Sequence, residues 1–141
     1  MPAKTESAKV IKAKKKLGTL IAKCRGNDMS QRQLAAAVGL PPSNMKYIED
    51  GINCPTAEVY TKLISVLKPS PKKRTELDRA YMTIRNIPPP DICRTIIANQ
   101  TLIEAVRSLD GARLTDVQSQ RVKELFVSFA SENTKGEQSN G

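Results

Sequence analysis

Histidine and tryptophan are absent from this sequence, and aromatic residues make up only 4% of it. The lack of histidine removes the side chain that most often moves protons near neutral pH. It also removes one of the usual zinc ligands. The remaining candidates, Cys24, Cys54 and Cys93, lack the short recurring spacing of a four-ligand site. These thiols read as small apolar fillers in a reducing compartment. No G-x-S-x-G elbow, glycine-rich phosphate loop with its lysine, or paired-carboxylate constellation is present. The expectation is a protein that is not an enzyme, needs no cofactor and holds no metal. With few aromatics and an apolar complement dominated by Ala, Ile, Leu and Val, the composition suits small helical packing better than a sheet. No apolar run approaches the roughly 20 residues of a membrane span. The early lysines are not followed by the apolar stretch of a secretory signal. A cytoplasmic location, with no membrane partner, is therefore expected.

Positive charge is what the sequence has in excess. The net charge is +9, and it is unevenly placed. Residues 1–90 hold 17 basic and 7 acidic side chains, whereas residues 91–141 hold 6 and 7. A basic first part beside a neutral last part points to a polyanion as the partner of the first. The competing reading is a solubilising tail, because residues 1–16 alone carry six lysines against one glutamate. A chain of 141 residues allows one domain, or one small domain with an appended piece.

Apolar periodicity organises the chain into helices. Leu17, Leu20, Ile21 and Cys24 form one stripe at i, i+3, i+4 and i+7, predicting a helix over about 9–25 that stops at Gly26-Asn27-Asp28. Ser30-Gln31-Arg32-Gln33 fits a capping box and opens a second helix, with Leu34, Ala35 and Val38 inward and Gly39 as its left-handed end. Pro41-Pro42 opens a third, since proline suits a first helical turn. Met45 and Ile48 face inward there, and Gly51 closes it. Thr56 caps a fourth helix with the stripe Val59, Leu63, Val66 and Leu67, ended by Pro69 and Pro71. A fifth is predicted over about 75–86 from Leu77, Ala80, Tyr81 and Ile84. Pro88-Pro89-Pro90 is a stiff break. Residues 91–109 follow as one helix or two, with Thr101-Leu102-Ile103-Glu104 a second capping-box match. Thr115-Asp116-Val117-Gln118 starts a last helix with the stripe Val122, Leu125, Phe126 and Phe129.

The informative stretch runs from Met29 to Gly51: helix, tight glycine turn, helix. Small Ala35 lets the two helices cross closely, while Leu40, Met45 and Ile48 tie down the second. Its outer face is left free for a major groove, which admits one helix. Met29, Ser30, Gln31, Leu34, Ala35, Gly39, Leu40, Met45, Ile48, Glu49 and Gly51 occupy the places of a known pattern. On these residues the stretch resembles the helix-turn-helix of the phage repressor and Cro (XRE-like) family. Leu17-Gly18 before it, and Pro55, Leu63 and Leu67 after it, are similar to that family's flanking helices. The resemblance spans about residues 14–68.

The resemblance implies roles. Gln31 hydrogen-bonds a phosphate at the start of the second helix, with exposed Arg32 beside it. Pro42, Ser43, Lys46 and Tyr47 face base edges or nearby phosphates, and Asn44 contacts the backbone. Asn53 and Thr56 touch phosphate again. Glu49 reads as structural, because a carboxylate near phosphates is repelled. Pro41-Pro42 departs from the family, many members of which carry base-reading polar residues there. Either readout shifts to Ser43, Lys46 and Tyr47, with Pro42 against a thymine methyl, or the helix reads sequence weakly. Lys12, Lys14, Lys15 and Lys16 form a phosphate-gripping arm or a solvated tail. Lys72-Lys73-Arg74 reads as a solvated helix start rather than an import signal.

The fold expected is all-α: a five-helix repressor-like domain followed by a small C-terminal helical segment. Its parts are a basic arm over 1–13, a DNA-binding domain over 14–87, a dimerisation or partner segment over 91–131, and a disordered tail over 132–141. The function expected is a sequence-specific, double-stranded-DNA-binding transcription regulator, most simply a homodimeric repressor. The alternatives are an antitoxin of helix-turn-helix type, binding a toxin through 91–131, and a transcription adaptor resembling the bridging factors.

Overall fold

The structure is a computed structural model that describes residues 6–139, with side chains described over 6–134. The described residues are all-helical, with eight α-helices and no strand. No described helix is long and apolar enough to cross a membrane. The chain divides into two compact units, Met1–Ala98 and Asn99–Gly141. The first unit thus ends beyond the Pro88-Pro89-Pro90 run, and the segment expected over 91–131 is shared between the two.

The first unit contains α1 (Ala8–Arg25), α2 (Gln31–Ala37), α3 (Pro42–Glu49), α4 (Ala57–Leu67), α5 (Pro71–Arg85) and α6 (Pro90–Ala98). Helix α1 begins at Ser7, whose hydroxyl accepts from the Val10 N–H at 3.2 Å. Lysines 9 to 16 are therefore helical; of the arm expected over 1–13, residues 1–5 lie outside the described residues. Helices α2 and α4 start on Ser30 and Thr56 as the sequence predicts, and both halves of the Ser30–Gln33 capping box are made. Helix α5 starts earlier than predicted. Ser70 caps it, and Pro71 is its first residue instead of the terminator of α4. Lys68 ends α4 with φ 46°, a left-handed turn that leaves Pro69 outside the helix.

Helix α1 lies along α5 on one side and against α3 on another, with α2 packed on α3. Leu17, Ile21, Leu34, Ala35, Val38, Met45, Ile48, Leu63, Leu77 and Ala80 meet in one core, joined by Tyr60 and Tyr81. Tyr60 was not in the predicted stripe of α4, yet it is 1% exposed. Its ring stacks on Tyr81 with centroids 4.3 Å apart, and its hydroxyl donates to Asp78 at 2.6 Å. Arg74 Nε donates to the same carboxylate at 3.0 Å, and its Nη2 reaches Asp91 of α6 at 3.2 Å. The predicted Val59, Val66 and Leu67 are only partly buried at the rim.

The two tyrosines differ in one respect that sets the sign of a substitution. The Tyr81 hydroxyl is buried and makes no hydrogen bond with the described residues. Tyr81→Phe is therefore expected to be neutral or stabilising, whereas Tyr60→Phe is expected to cost about 1.5–3 kcal/mol, the range for a hydrogen bond to a charged group. Thermal or urea unfolding of both variants checks the contrast. Burial first, and then the Asp78 hydrogen bond and charge, push the Tyr60 phenol up; burial pushes Tyr81 up as well. A raised acid favours the folded state fully below the unfolded tyrosine value of about 10 and progressively less above it. Stability is expected to fall as pH rises past about 10, and less steeply in Tyr60→Phe.

The second unit contains α7 (Thr101–Arg107) and α8 (Asp116–Ser139). The Thr115 box forms: Gln118 N–H donates to the Thr115 hydroxyl at 3.2 Å, and Thr115 N–H to the Gln118 side chain at 2.9 Å. The Thr101 box does not. Asn99 and Gln100 accept from the N–H groups of Leu102 and Ile103 in a tight turn. Gln100 is already helical, which makes Thr101 the first helical residue rather than an extended cap. Helix α8 continues to Ser139, past the expected end at 131, while residues 140–141 of the expected tail lie outside the described residues. None of this unit's described side chains is buried.

Candidate nucleic-acid interface

The region around α3 is built by close backbone packing. Gly39 adopts φ 75° after α2, and Leu40 N–H donates back to the Ala35 carbonyl at 2.8 Å. Leu34, Ala35 and Val38 on α2 and Met45 and Ile48 on α3 are buried, which fixes the rotation of α3 about its axis. Pro41 and Pro42 open α3 without a side-chain cap. The Pro41 carbonyl instead accepts from Asn44 and Met45 N–H at 3.0 and 3.3 Å. Gly51, with φ 77°, ends the turn after α3, and a Cβ there would stand 2.6 Å from the Cα of Lys15. Gly18 serves the same purpose on α1: a Cβ would stand 2.5 Å from the carbonyl oxygens of both Ile48 and Glu49. Helix α1 thus lies directly on the main chain of α3.

One ion pair secures that crossing. Arg25 donates Nε and Nη2 to the two Glu49 oxygens at 3.0 and 2.9 Å, a forked pair that matches guanidinium and carboxylate geometry. Arg25 Nη1 also donates to the Met29 carbonyl at 3.0 Å, tying in the approach to α2. The Glu49 side chain is 5% exposed. Glu49 is structural, as expected from its type, and no local pattern in the sequence points to its partner. Arg25 lies in the last turn of α1, where a cation also suits the helix dipole, and that position is the only signal of it.

The fixed rotation of α3 exposes Pro42, Ser43, Asn44, Lys46 and Tyr47, with Tyr47 46% exposed. Ser43, Lys46 and Tyr47 stand at i, i+3 and i+4 and share one face. Arg32 is exposed on α2, and Gln31 is half-buried as its first residue. The exposed Asn53 is held close to α3, because its N–H and that of Ile52 donate to the Tyr47 carbonyl at 3.2 and 2.9 Å. Arg85 of α5 fixes the following residues by donating to the Cys54 and Pro55 carbonyls, each at 2.9 Å. Thr56 is exposed; its hydroxyl oxygen accepts from Val59 N–H at 3.3 Å, which leaves the O–H free to donate.

Lys46 is not a free cation. It pairs with Asp50 at 2.9 Å, and that hydrogen bond and charge push its ammonium up, so it stays protonated. An exposed i, i+4 pair is weak and opens readily to a phosphate or a base edge. The lysines of α1 are similarly sorted by helix face. Lys14 is paired with Glu6, and Lys15 rests on Gly51 beside the end of α3. Arg74, from the run at 72–74, is occupied by Asp78 and Asp91. Comparison with family models, with curated proteins and with solved structures finds no match to this chain.

Proposed function

We propose that the protein is a sequence-specific, double-stranded-DNA-binding transcription regulator of the phage-repressor (XRE-like) helix-turn-helix type, acting in the cytoplasm on the nucleoid. Helices α2 and α3 are the helix-turn-helix of a five-helix domain made of α1–α5, which the first unit extends by α6, and α3 enters the major groove. The observation that carries the reading is the fixed, two-faced burial of α3. Met45 and Ile48 are locked into the core, while Ser43, Lys46 and Tyr47 stand together in solvent. The concentration of positive charge in the first unit supports a polyanionic partner. In this reading Gln31, Arg32, Asn44, Asn53 and Thr56 hold phosphates. Ser43, Lys46 and Tyr47 read bases, and Pro42 adds an apolar contact. The role is occlusion of a promoter by a homodimer, without catalysis. One recognition helix buries too little surface for tight specific binding, so two half-sites are read together.

Selection from random duplex DNA, followed by a salt titration of the selected site, tests the proposal. A palindrome with half-sites about one helical turn apart is the expected result. Lys46→Ala and Tyr47→Ala are each expected to weaken that site by about 1–3 kcal/mol, more than they weaken random DNA. Gln31→Ala is expected to weaken both alike and to leave the salt dependence unchanged, because glutamine carries no charge. Equal losses on selected and random DNA for Tyr47→Ala would remove its base-reading role.

Pro41 and Pro42 favour a second reading, because neither offers a side-chain hydrogen bond at the tip of α3. A bridging-factor-like adaptor needs little base readout and works through a protein partner, as an antitoxin works through its toxin. Steeply salt-dependent binding with no selected motif would move the protein to that class.

A further inference from the structure

Within the second unit, no described side chain covers its apolar face. Val122, Leu125, Phe126 and Phe129 form a stripe along α8, and they are 39%, 51%, 51% and 48% exposed. Beside it runs a shallow groove of about 670 Å³, bounded by Leu114, Gln118, Val122 and Leu125. On α7 and the turn after it, Ile103, Val106 and Leu109 are also exposed. Single apolar residues on a surface are ordinary; a continuous face of this kind marks an interaction site. Helices draw most of their stability from packing one face, and in this unit no described side chain is buried. The face therefore needs a cover.

We propose that the cover is a second copy of this chain, joined by antiparallel pairing of α8 with α8. Charge supports self-association. Residues 99–141 hold five basic and six acidic side chains, so two copies do not repel here as two copies of the strongly basic first unit do. The charges are also placed for a two-fold axis. Arg121 and Glu132 lie on the same flank of the stripe, separated by about three helical turns. Their midpoint falls between Phe126 and Val127. An axis at that point brings Arg121 of each copy opposite Glu132 of the other, once at each end of the seam. Val122, Leu125, Phe126 and Phe129 fill the length between them. A two-fold contact uses the same patch on both partners, and such self-complementarity is what it requires. The area is adequate: a helix of 24 residues is about 36 Å long, and with Leu114 at its edge it supplies much of the ~800 Å² per partner of a standard interface.

The pairing rests on the exposed face and not on the DNA-binding reading, to which it supplies the second copy. Sedimentation equilibrium of the full chain without DNA is expected to give twice the 15.5 kDa of one chain at micromolar concentration. Leu125→Asp is expected to weaken association about a hundredfold. Arg121→Glu and Glu132→Arg are each expected to weaken it about tenfold, and the double variant to restore it to within about threefold of wild type. A monomeric wild type, or a Leu125→Asp variant that associates normally, overturns the proposal. A double variant no tighter than the single ones overturns the antiparallel register. Binding of Leu125→Asp to a single half-site, lost on adding Lys46→Ala, would keep the DNA reading intact if dimerisation failed.

Discussion

A chain carrying Gly18→Ala is expected to lose about 3 kcal/mol of folding stability, at the upper end of the usual cost of overpacking. Helix propensity alone gives the opposite sign, since alanine gains about 1 kcal/mol over glycine inside a helix. Packing decides the balance. The new methyl group would stand 2.5 Å from two carbonyl oxygens and 2.8 Å from a carbonyl carbon, all in the main chain of α3. Main-chain atoms cannot rotate aside as a side chain can, so α3 must back away from α1. That movement opens the core where Leu17 and Ile21 meet Met45 and Ile48. Urea unfolding is expected to show a lower midpoint with an unchanged slope, the mark of lost stability without a changed denatured state. A midpoint at or above that of wild type would refute the close crossing of the two helices.

Glu49→Ala is expected to cost about 3 kcal/mol, the low end for breaking a buried ion pair. The low end applies because Arg25 is 20% exposed and keeps its hydrogen bond to the Met29 carbonyl. Arg25→Lys is expected to recover only part of the interaction, because an ammonium cannot engage both carboxylate oxygens in the forked geometry. Replacing both residues by apolar ones, as in Arg25→Met with Glu49→Leu, is expected to cost less than Glu49→Ala alone, since no charge is left uncompensated. A double-mutant cycle by denaturant unfolding reads the coupling. A loss below about 1 kcal/mol for Glu49→Ala would place the pair among ordinary surface salt bridges.

Local signals in the sequence located the helix starts where the chemistry is unambiguous. Ser30, Thr56 and Thr115 each offer a hydroxyl to an otherwise unpaired N–H, and all three cap a helix. Where one residue type has two uses, the signal divided. Proline both ends a helix and opens one, so the sequence pattern assigns Pro71 to the end of α4, although Ser70 caps α5 just before it. Helix α4 carries two overlapping apolar phases. Tyr60, Leu63, Ile64 and Leu67 repeat as regularly as Val59, Leu63, Val66 and Leu67, and only the partner helix selects the phase that places Tyr60 on Tyr81. Thr101 has the spacing of a capping box but sits within a turn that is already helical. The exposed face of α3 was legible from its buried face, because fixing Met45 and Ile48 inward fixes Lys46 and Tyr47 outward. The partners of charged residues were not legible. Arg25 and Glu49 are 24 positions apart, and no local pattern joins them.

The tyrosine stack described above also gives the molecule its own optical reporters. With no tryptophan in the chain, near-ultraviolet absorption and emission come mainly from three tyrosines. Two of them, Tyr60 and Tyr81, are stacked and almost completely shielded, so their circular dichroism follows the integrity of the core. The third, Tyr47, stands in solvent on α3. Its quenching by acrylamide or iodide follows access to that helix and nothing deeper. One unlabelled sample therefore distinguishes a ligand that covers α3 from one that loosens the fold, a distinction most small helical proteins yield only after a dye or an introduced tryptophan.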